Sequence, residues 1–105
     1  MMLAFVMGMA LVAAGSNDNG ARDDFAVCLK GQITKATDAK VDVAGFAAFA
    51  RTACAAQTSG FRAALIAYDM KAGWTRKKAE PDADAQIDDY LADWTDRYRD
   101  SLQAK

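Results

Sequence analysis

The sequence predicts an all-α fold, in which a disulfide-linked antiparallel helical hairpin carries a third amphipathic helix. The chain is rich in alanine, the best helix former, and it contains a single proline, Pro81. Apolar residues recur every three to four positions along three segments, which is the period of one helix face. The two cysteines, Cys28 and Cys54, lie on two of these segments at equal distances from the predicted turn between them.

The first 15 residues have the features of an export signal. Residues 1–15 carry no charged side chain and include an apolar run of about twelve residues, where a membrane span needs roughly 20. Small residues end the run at Val12–Gly15, as at a signal peptidase site. No Lys or Arg precedes it, and a short buried helix is the alternative. We predict a signal peptide at 1–15, a flexible linker at 16–22 and one helical domain at 23–105.

The first helix of this domain is expected to begin near Asp23 and Asp24. Their carboxylates can accept hydrogen bonds from the free N–H groups of the first turn and complement the helix dipole. A short polar turn at 37–41 ends the helix. Its apolar stripe consists of Phe25, Cys28, Leu29, Ile33 and Ala36.

A second helix is expected to begin after a cap at Asp42 and to end in a left-handed cap at Gly73. The segment 58–60 is a weak point, and a break near Gly60 would give four helices instead of three. The apolar stripe stays in phase from Gln57 to Phe61, which favours one long helix.

The third helix gives the clearest periodic pattern in the chain. Pro81 suits the first turn of a helix. A start at Thr75, with Pro81 inside the helix and a kink there, is the alternative. The apolar stripe consists of Ile87, Tyr90, Leu91, Trp94, Tyr98 and Leu102.

The cysteine spacing predicts a disulfide. Residues equidistant from the turn of an antiparallel hairpin lie level with each other, so the sulfur atoms of Cys28 and Cys54 should meet. An exported chain folds in an oxidising compartment, where such a pair closes. Two buried free thiols are the alternative. A redox-active pair is disfavoured, because the sequence has no Cys-x-x-Cys.

The composition disfavours several classes of function. The sequence contains no His, the commonest general base and metal ligand. Its 13 basic and 14 acidic residues give a net charge of -1, which does not indicate a nucleic-acid partner. A pair of Asp carboxylates remains the one route to an enzyme, but carboxylates on a helix surface lack the burial that separates their pKa values. We therefore predict no catalytic residue and no cofactor.

The charges are unevenly distributed along the chain. Residues 22–78 carry ten basic and five acidic side chains, whereas residues 79–100 carry eight acidic and two basic ones. This asymmetry predicts that the acidic third helix docks on a basic hairpin. A solvated acidic face without a partner is the alternative.

One row of carboxylates on the third helix could attract a divalent cation or a basic partner. A straight helix does not fold oxygen atoms around an ion, so we predict no metal site. Pairing of Asp93 with Arg97 and of Asp96 with Arg99 is the expected alternative, because both pairs have helical spacing. The row consists of Asp89, Asp93, Asp96 and Asp100.

A second group of residues is a candidate contact patch. The basic run of Arg76, Lys77 and Lys78 follows Trp74 and could contact a phosphate or an anionic lipid headgroup. Tyr68 lies one to two helical turns upstream. Runs of three cations are more often solvated surface, and aromatic residues at helical spacing are more often core.

Three stretches in the middle of the chain resemble small exported helical proteins of unknown function from alphaproteobacteria. These stretches are Ala50–Cys54, Arg62–Asp69 and Gly73–Arg76. The resemblance implies a bacterial envelope setting and no activity. It also implies a helix that continues through Pro81.

Taken together, these features predict a periplasmic or secreted protein with a non-enzymatic structural or interaction role. An envelope protein would be its partner. A membrane-surface or envelope-stress binding protein is the first alternative, and it would use Trp74 with the neighbouring cations. A small enzyme that uses Asp carboxylates is the second.

Overall fold

A computed structural model describes residues 18–104, which form four helices and no strand. The all-α prediction is confirmed, but the helix count of three is wrong. The predicted signal peptide at 1–15 lies outside the described residues, as do residues 16 and 17 of the predicted linker. The four helices are α1 (Asp18–Asp38), α2 (Val43–Ala53), α3 (Ala55–Lys71) and α4 (Arg76–Gln103).

Helix α1 begins five residues earlier than the sequence predicted. Residues 18–22 are helical, so this part of the predicted linker is wrong. The reason is that Ala21 extends the buried stripe of Phe25 and Leu29 by one turn. The Arg22 side chain also donates a hydrogen bond of 2.7 Å to Asn19 Oδ1 within this turn.

The predicted second helix is interrupted at Cys54, which separates α2 from α3. The backbone N–H of Cys54 still bonds to the Ala50 carbonyl, but its φ and ψ of -108° and 34° are not helical. Its carbonyl accepts 2.8 Å hydrogen bonds from both the N–H and the hydroxyl of Thr58. Back-bonding of this kind bends helices. The predicted weak point near Gly60 is wrong, since Gly60 lies inside α3.

The helices form three antiparallel rods, with α2 and α3 together making the second rod. Cys28 of α1 is bonded to Cys54, and Phe25 contacts Phe61 farther along α3, so α1 and α3 run in opposite directions. Helix α4 returns along the second rod, because Arg62 meets Asp84 whereas the earlier Arg51 meets the later Asp88.

The predicted disulfide is confirmed. Cys28 and Cys54 are bonded, with their Cα atoms 6.0 Å apart. Cys54 is fully buried and Cys28 is half-buried. The bond therefore ties α1 to the point where the second rod is broken.

Helix α4 covers both other rods with the stripe that the sequence predicted. The ring of Tyr98 stacks on Phe46 of α2 at a centroid distance of 4.5 Å, and its hydroxyl donates to the carbonyl of Val41. Farther along, Tyr90 contacts both Phe25 and Phe61. The buried residues of α4 are Ala79, Ala83, Ile87, Leu91, Trp94 and Tyr98.

Ion pairs confirm that the acidic helix docks on a basic hairpin. Arg51 of α2 bonds to Asp88 at 2.6 Å, and Arg62 of α3 bonds to Asp84 at 2.7 Å. Both pairs are exposed, so each contributes roughly 0–1 kcal/mol to stability. Their main effect is to favour one alignment of α4 along the second rod.

The start of α4 settles the two alternatives for Pro81. The helix begins at Arg76 after the Thr75 cap, whose hydroxyl accepts a hydrogen bond from the Lys78 N–H. Pro81 therefore lies inside the helix, not in its first turn. Pro81 is exposed, which leaves its ring outside the core.

Among the helices of residues 18–104, none has the length and apolar character needed to cross a bilayer.

Candidate binding surface at the α3–α4 turn

The turn between α3 and α4 is built by a Schellman motif. The Trp74 N–H bonds to the Asp69 carbonyl at 2.9 Å, and the Gly73 N–H bonds to the Met70 carbonyl at 3.0 Å. Gly73 has a φ of +104°, which disfavours any residue with a Cβ. The left-handed cap predicted at Gly73 is confirmed, and it ends α3 just before Trp74.

Exposed large apolar side chains are concentrated at this turn. Tyr68 is 62% exposed, Met70 39% and Trp74 37%. Only one other large apolar side chain in the described part of the chain is exposed, Val27 on α1. We call the exposed residues around this turn the turn patch and define it as Tyr68, Met70, Lys71, Trp74, Arg76, Lys77 and Lys78.

One cation of the turn patch lies over an aromatic ring. The Lys78 ammonium is 4.9 Å from the centroid of the Trp74 ring, a cation–π contact. Arg76 makes only a 3.5 Å contact with Glu80. The first turn of α4 holds no acidic residue, although a helix N-terminus favours negative charge. Four exposed cations, Lys71, Arg76, Lys77 and Lys78, are therefore concentrated within eight residues at this end of the bundle.

Two carboxyl groups meet behind the turn patch. Asp69, in the last turn of α3, is within hydrogen-bonding reach of Asp82 on α4. Its Oδ2 atom is buried, and no donor among the described residues bonds to it. Burial, and then the hydrogen bond and charge of Asp82, raise the pKa of Asp69. Gln86 donates a 2.8 Å hydrogen bond to Asp82.

We expect Asp69→Asn to raise the melting temperature near pH 7. The raised pKa means that Asp69 favours folding below the ordinary pKa of aspartate, and that this contribution is lost as the pH rises through the raised value. An amide donates to Asp82 without taking up a proton. The gain should therefore shrink as the pH falls toward about 4. Circular-dichroism melts across this range measure the effect.

Asp93→Asn is the matched control for this prediction, because Asp93 is an exposed carboxylate on α4. It should change the melting temperature little. An Asp69→Asn protein with the same melting temperature as the wild type near pH 7 would contradict the raised pKa of Asp69.

A shallow cavity of about 280 Å³ lies along α3, next to the start of α4. Its polar lining groups are Ser59, Arg62 and Arg76, and the two guanidinium groups already contact Asp84 and Glu80. Asp69 and Asp82 do not line it. The two carboxyl groups that converge in this protein are thus separate from the cavity.

The five residues predicted as a contact patch are brought together at one end of the bundle. Sequence reasoning missed Met70 and Lys71 of the same surface, and it missed the Asp69–Asp82 contact. An acidic residue in the last turn of a helix opposes the helix dipole, and this signal could have drawn attention to Asp69.

The carboxylate row of α4 is exposed. Asp96 pairs with Arg99 at 2.6 Å, as expected, but Arg97 lies over the Trp94 ring at 4.4 Å. Within residues 18–104, no group of three or more potential ligands could hold a metal ion.

Comparison with known proteins assigns no function. The disulfide and the turn patch are the features of the chain itself from which a function can be inferred. No protein-family model matches the chain, and no curated protein or solved structure is significantly similar to it.

Proposed function

We propose that this chain is a non-catalytic binding module that works outside the reducing cytosol, and that the turn patch is its contact surface. The observation that carries the proposal is the clustering of exposed apolar groups. Three of the four exposed large apolar side chains in residues 18–104 lie within seven residues, next to four cations. Exposed apolar side chains scattered singly are normal, whereas a clustered patch marks an interaction site.

The disulfide supports a location in the periplasm or outside the cell. Disulfides persist in oxidising compartments and are rare in the cytosol. The Cys28–Cys54 bond joins α1 to the junction of α2 and α3, and both cysteines pack in the core. The signal peptide predicted at residues 1–15 leads to the same compartment.

The chemistry of the side chains favours binding over catalysis. The sequence supplies no His, and both cysteines are in the disulfide. Asp69 and Asp82 form the one pair that resembles an acid–base site, but both sit at the junction of two helices and outside the cavity. A reaction would require a bound substrate beside these carboxyl groups.

Hydroxyl-radical footprinting in an envelope fraction tests the proposal without assuming the nature of the partner. Tyr68, Met70 and Trp74 should be labelled in the isolated protein and protected when the envelope fraction is added. Val27→Met supplies a control reporter, because position 27 is 72% exposed on α1. The methionine introduced at this position should stay labelled. Equal labelling of the patch with and without the envelope fraction would contradict the proposal.

A further inference from the structure

We propose that the turn patch docks on an anionic lipid surface. This inference rests on the proposed binding function and names its partner. Charge complementarity is the first support: residues 68–78 carry four cations, Lys71, Arg76, Lys77 and Lys78, against one carboxylate, Asp69. All four cations are exposed. Clusters of Lys and Arg at a membrane surface are attracted by anionic headgroups.

The cations of the turn patch are free to meet a lipid headgroup. The 3.5 Å contact of Arg76 with Glu80 is long and exposed, so little is lost when the guanidinium turns away from it. Arg62, by contrast, is held by Asp84 through two hydrogen bonds and is not part of the docking surface.

The apolar members of the patch suit the boundary between headgroups and acyl chains. Tyr and Trp combine a large apolar ring with a polar group, which favours them at this boundary. Trp74 also bears the Lys78 ammonium over its ring. The Trp74 ring can therefore contact the acyl chain of a lipid while the Lys78 ammonium contacts the phosphate of the same lipid.

The topology places the chain entry at the same end of the bundle. Helix α1 is antiparallel to α3, and Phe25 lies level with Phe61. The start of α1 therefore lies toward the end of the bundle that bears the α3–α4 turn.

The opposite end of the bundle lacks these features. There the α1–α2 turn exposes Lys40 beside Asp42, and the Asp42 carboxylate caps α2 by accepting a 2.8 Å hydrogen bond from Gly45. No exposed large apolar side chain lies in residues 36–46. The molecule is therefore polarised, with one end suited to a membrane surface.

Cosedimentation with vesicles tests the inference. The protein should bind vesicles of phosphatidylcholine mixed with phosphatidylglycerol at low salt, and it should not bind vesicles of phosphatidylcholine alone. Each surface cation contributes a factor of about five, so Arg76→Ala with Lys77→Ala should weaken binding roughly 25-fold. Lys30→Ala with Lys35→Ala removes the same charge from exposed positions of α1 and should have a much smaller effect.

Tryptophan fluorescence adds a readout of position. Brominated acyl chains should quench Trp74, which is partly exposed, while the buried Trp94 should be little affected. A Trp74→Phe protein should lose this quenching and keep the emission of Trp94. Unchanged melting curves confirm that each variant is folded.

Several results would overturn the inference. These are no binding to anionic vesicles at low salt, equal losses in the patch and control variants, or displacement by inorganic phosphate at constant ionic strength. The last would mean that the cations bind free phosphate. If the turn patch is protected in the envelope fraction but vesicles do not bind, the binding function stands and the lipid partner is wrong. Without protection in the envelope fraction, the proposed function fails as well.

Discussion

Replacement of both cysteines by alanine, Cys28→Ala with Cys54→Ala, is expected to lower the free energy of unfolding by about 3.5 kcal/mol. The bond links residues separated by 26 positions, and closing a loop of this length restricts the unfolded chain by that amount. Small domains are stable by only about 5–15 kcal/mol. The double variant should therefore lose a large share of its stability. Urea unfolding followed by circular dichroism measures the change.

Reduction of the wild-type protein is the control for the alanine variant. Both should show a similar loss, since each opens the same loop. Wild-type protein isolated intact from cells should be two daltons lighter than its reduced form, which would show that the bond forms in the cell. The same measurement locates the predicted cleavage near residue 15. A double variant as stable as the oxidised wild type would contradict the structural role of the bond.

Phe25→Ala is the second change with a large expected effect, a loss of about 3–5 kcal/mol in the free energy of unfolding. Phe25 is fully buried. Its ring contacts Phe61 at 5.7 Å and Tyr90 at 5.5 Å, so it joins all three rods at one level. Truncation leaves a cavity between α1, α3 and α4 that the remaining rings cannot fill. Thermal and urea unfolding measure the loss.

Val27→Ala provides a matched control on the same helix. Val27 lies two residues from Phe25 but is exposed, so its truncation should change the stability by less than about 0.5 kcal/mol. Similar losses for the two variants would mean that α1 does not pack through Phe25 as described.

The features predicted well from the sequence were those set by a periodic pattern or by symmetry about a turn. The stripe of Ile87, Leu91, Trp94 and Tyr98 is buried, as its spacing required. The disulfide followed from equal distances along an antiparallel pair. Neither inference needed knowledge of tertiary contacts beyond the hairpin itself.

The position of the helix break could not be read in the same way. Thr58, Ser59 and Gly60 have low helix propensity, and the sequence therefore placed the weak point there. In the structure, the break lies at Cys54, and the Thr58 hydroxyl bonds to the Cys54 carbonyl. Propensity describes single residues, whereas Cys54 is also tied to α1 by the disulfide, which is a tertiary contact.

The exposure of the candidate site was also beyond the sequence pattern. Tyr68 fits the apolar stripe of the second rod by spacing, which made a core position the more common interpretation. In the structure, Tyr68 is 62% exposed, so its position on the stripe does not bury it. The Asp69–Asp82 contact depends on where α4 returns after the turn, a distance relation that no local pattern encodes.

The position of the disulfide divides the molecule into a part that lies within a covalent ring and a part that lies outside it. The bond closes a covalent ring that contains the second half of α1, the following turn and α2. Helix α3 and the first half of α1 lie outside this ring and are joined only by packing. Local opening at the α3–α4 end can therefore occur while the ring stays intact. The part that bears the exposed aromatic side chains is therefore the part that can change its conformation when it contacts a partner.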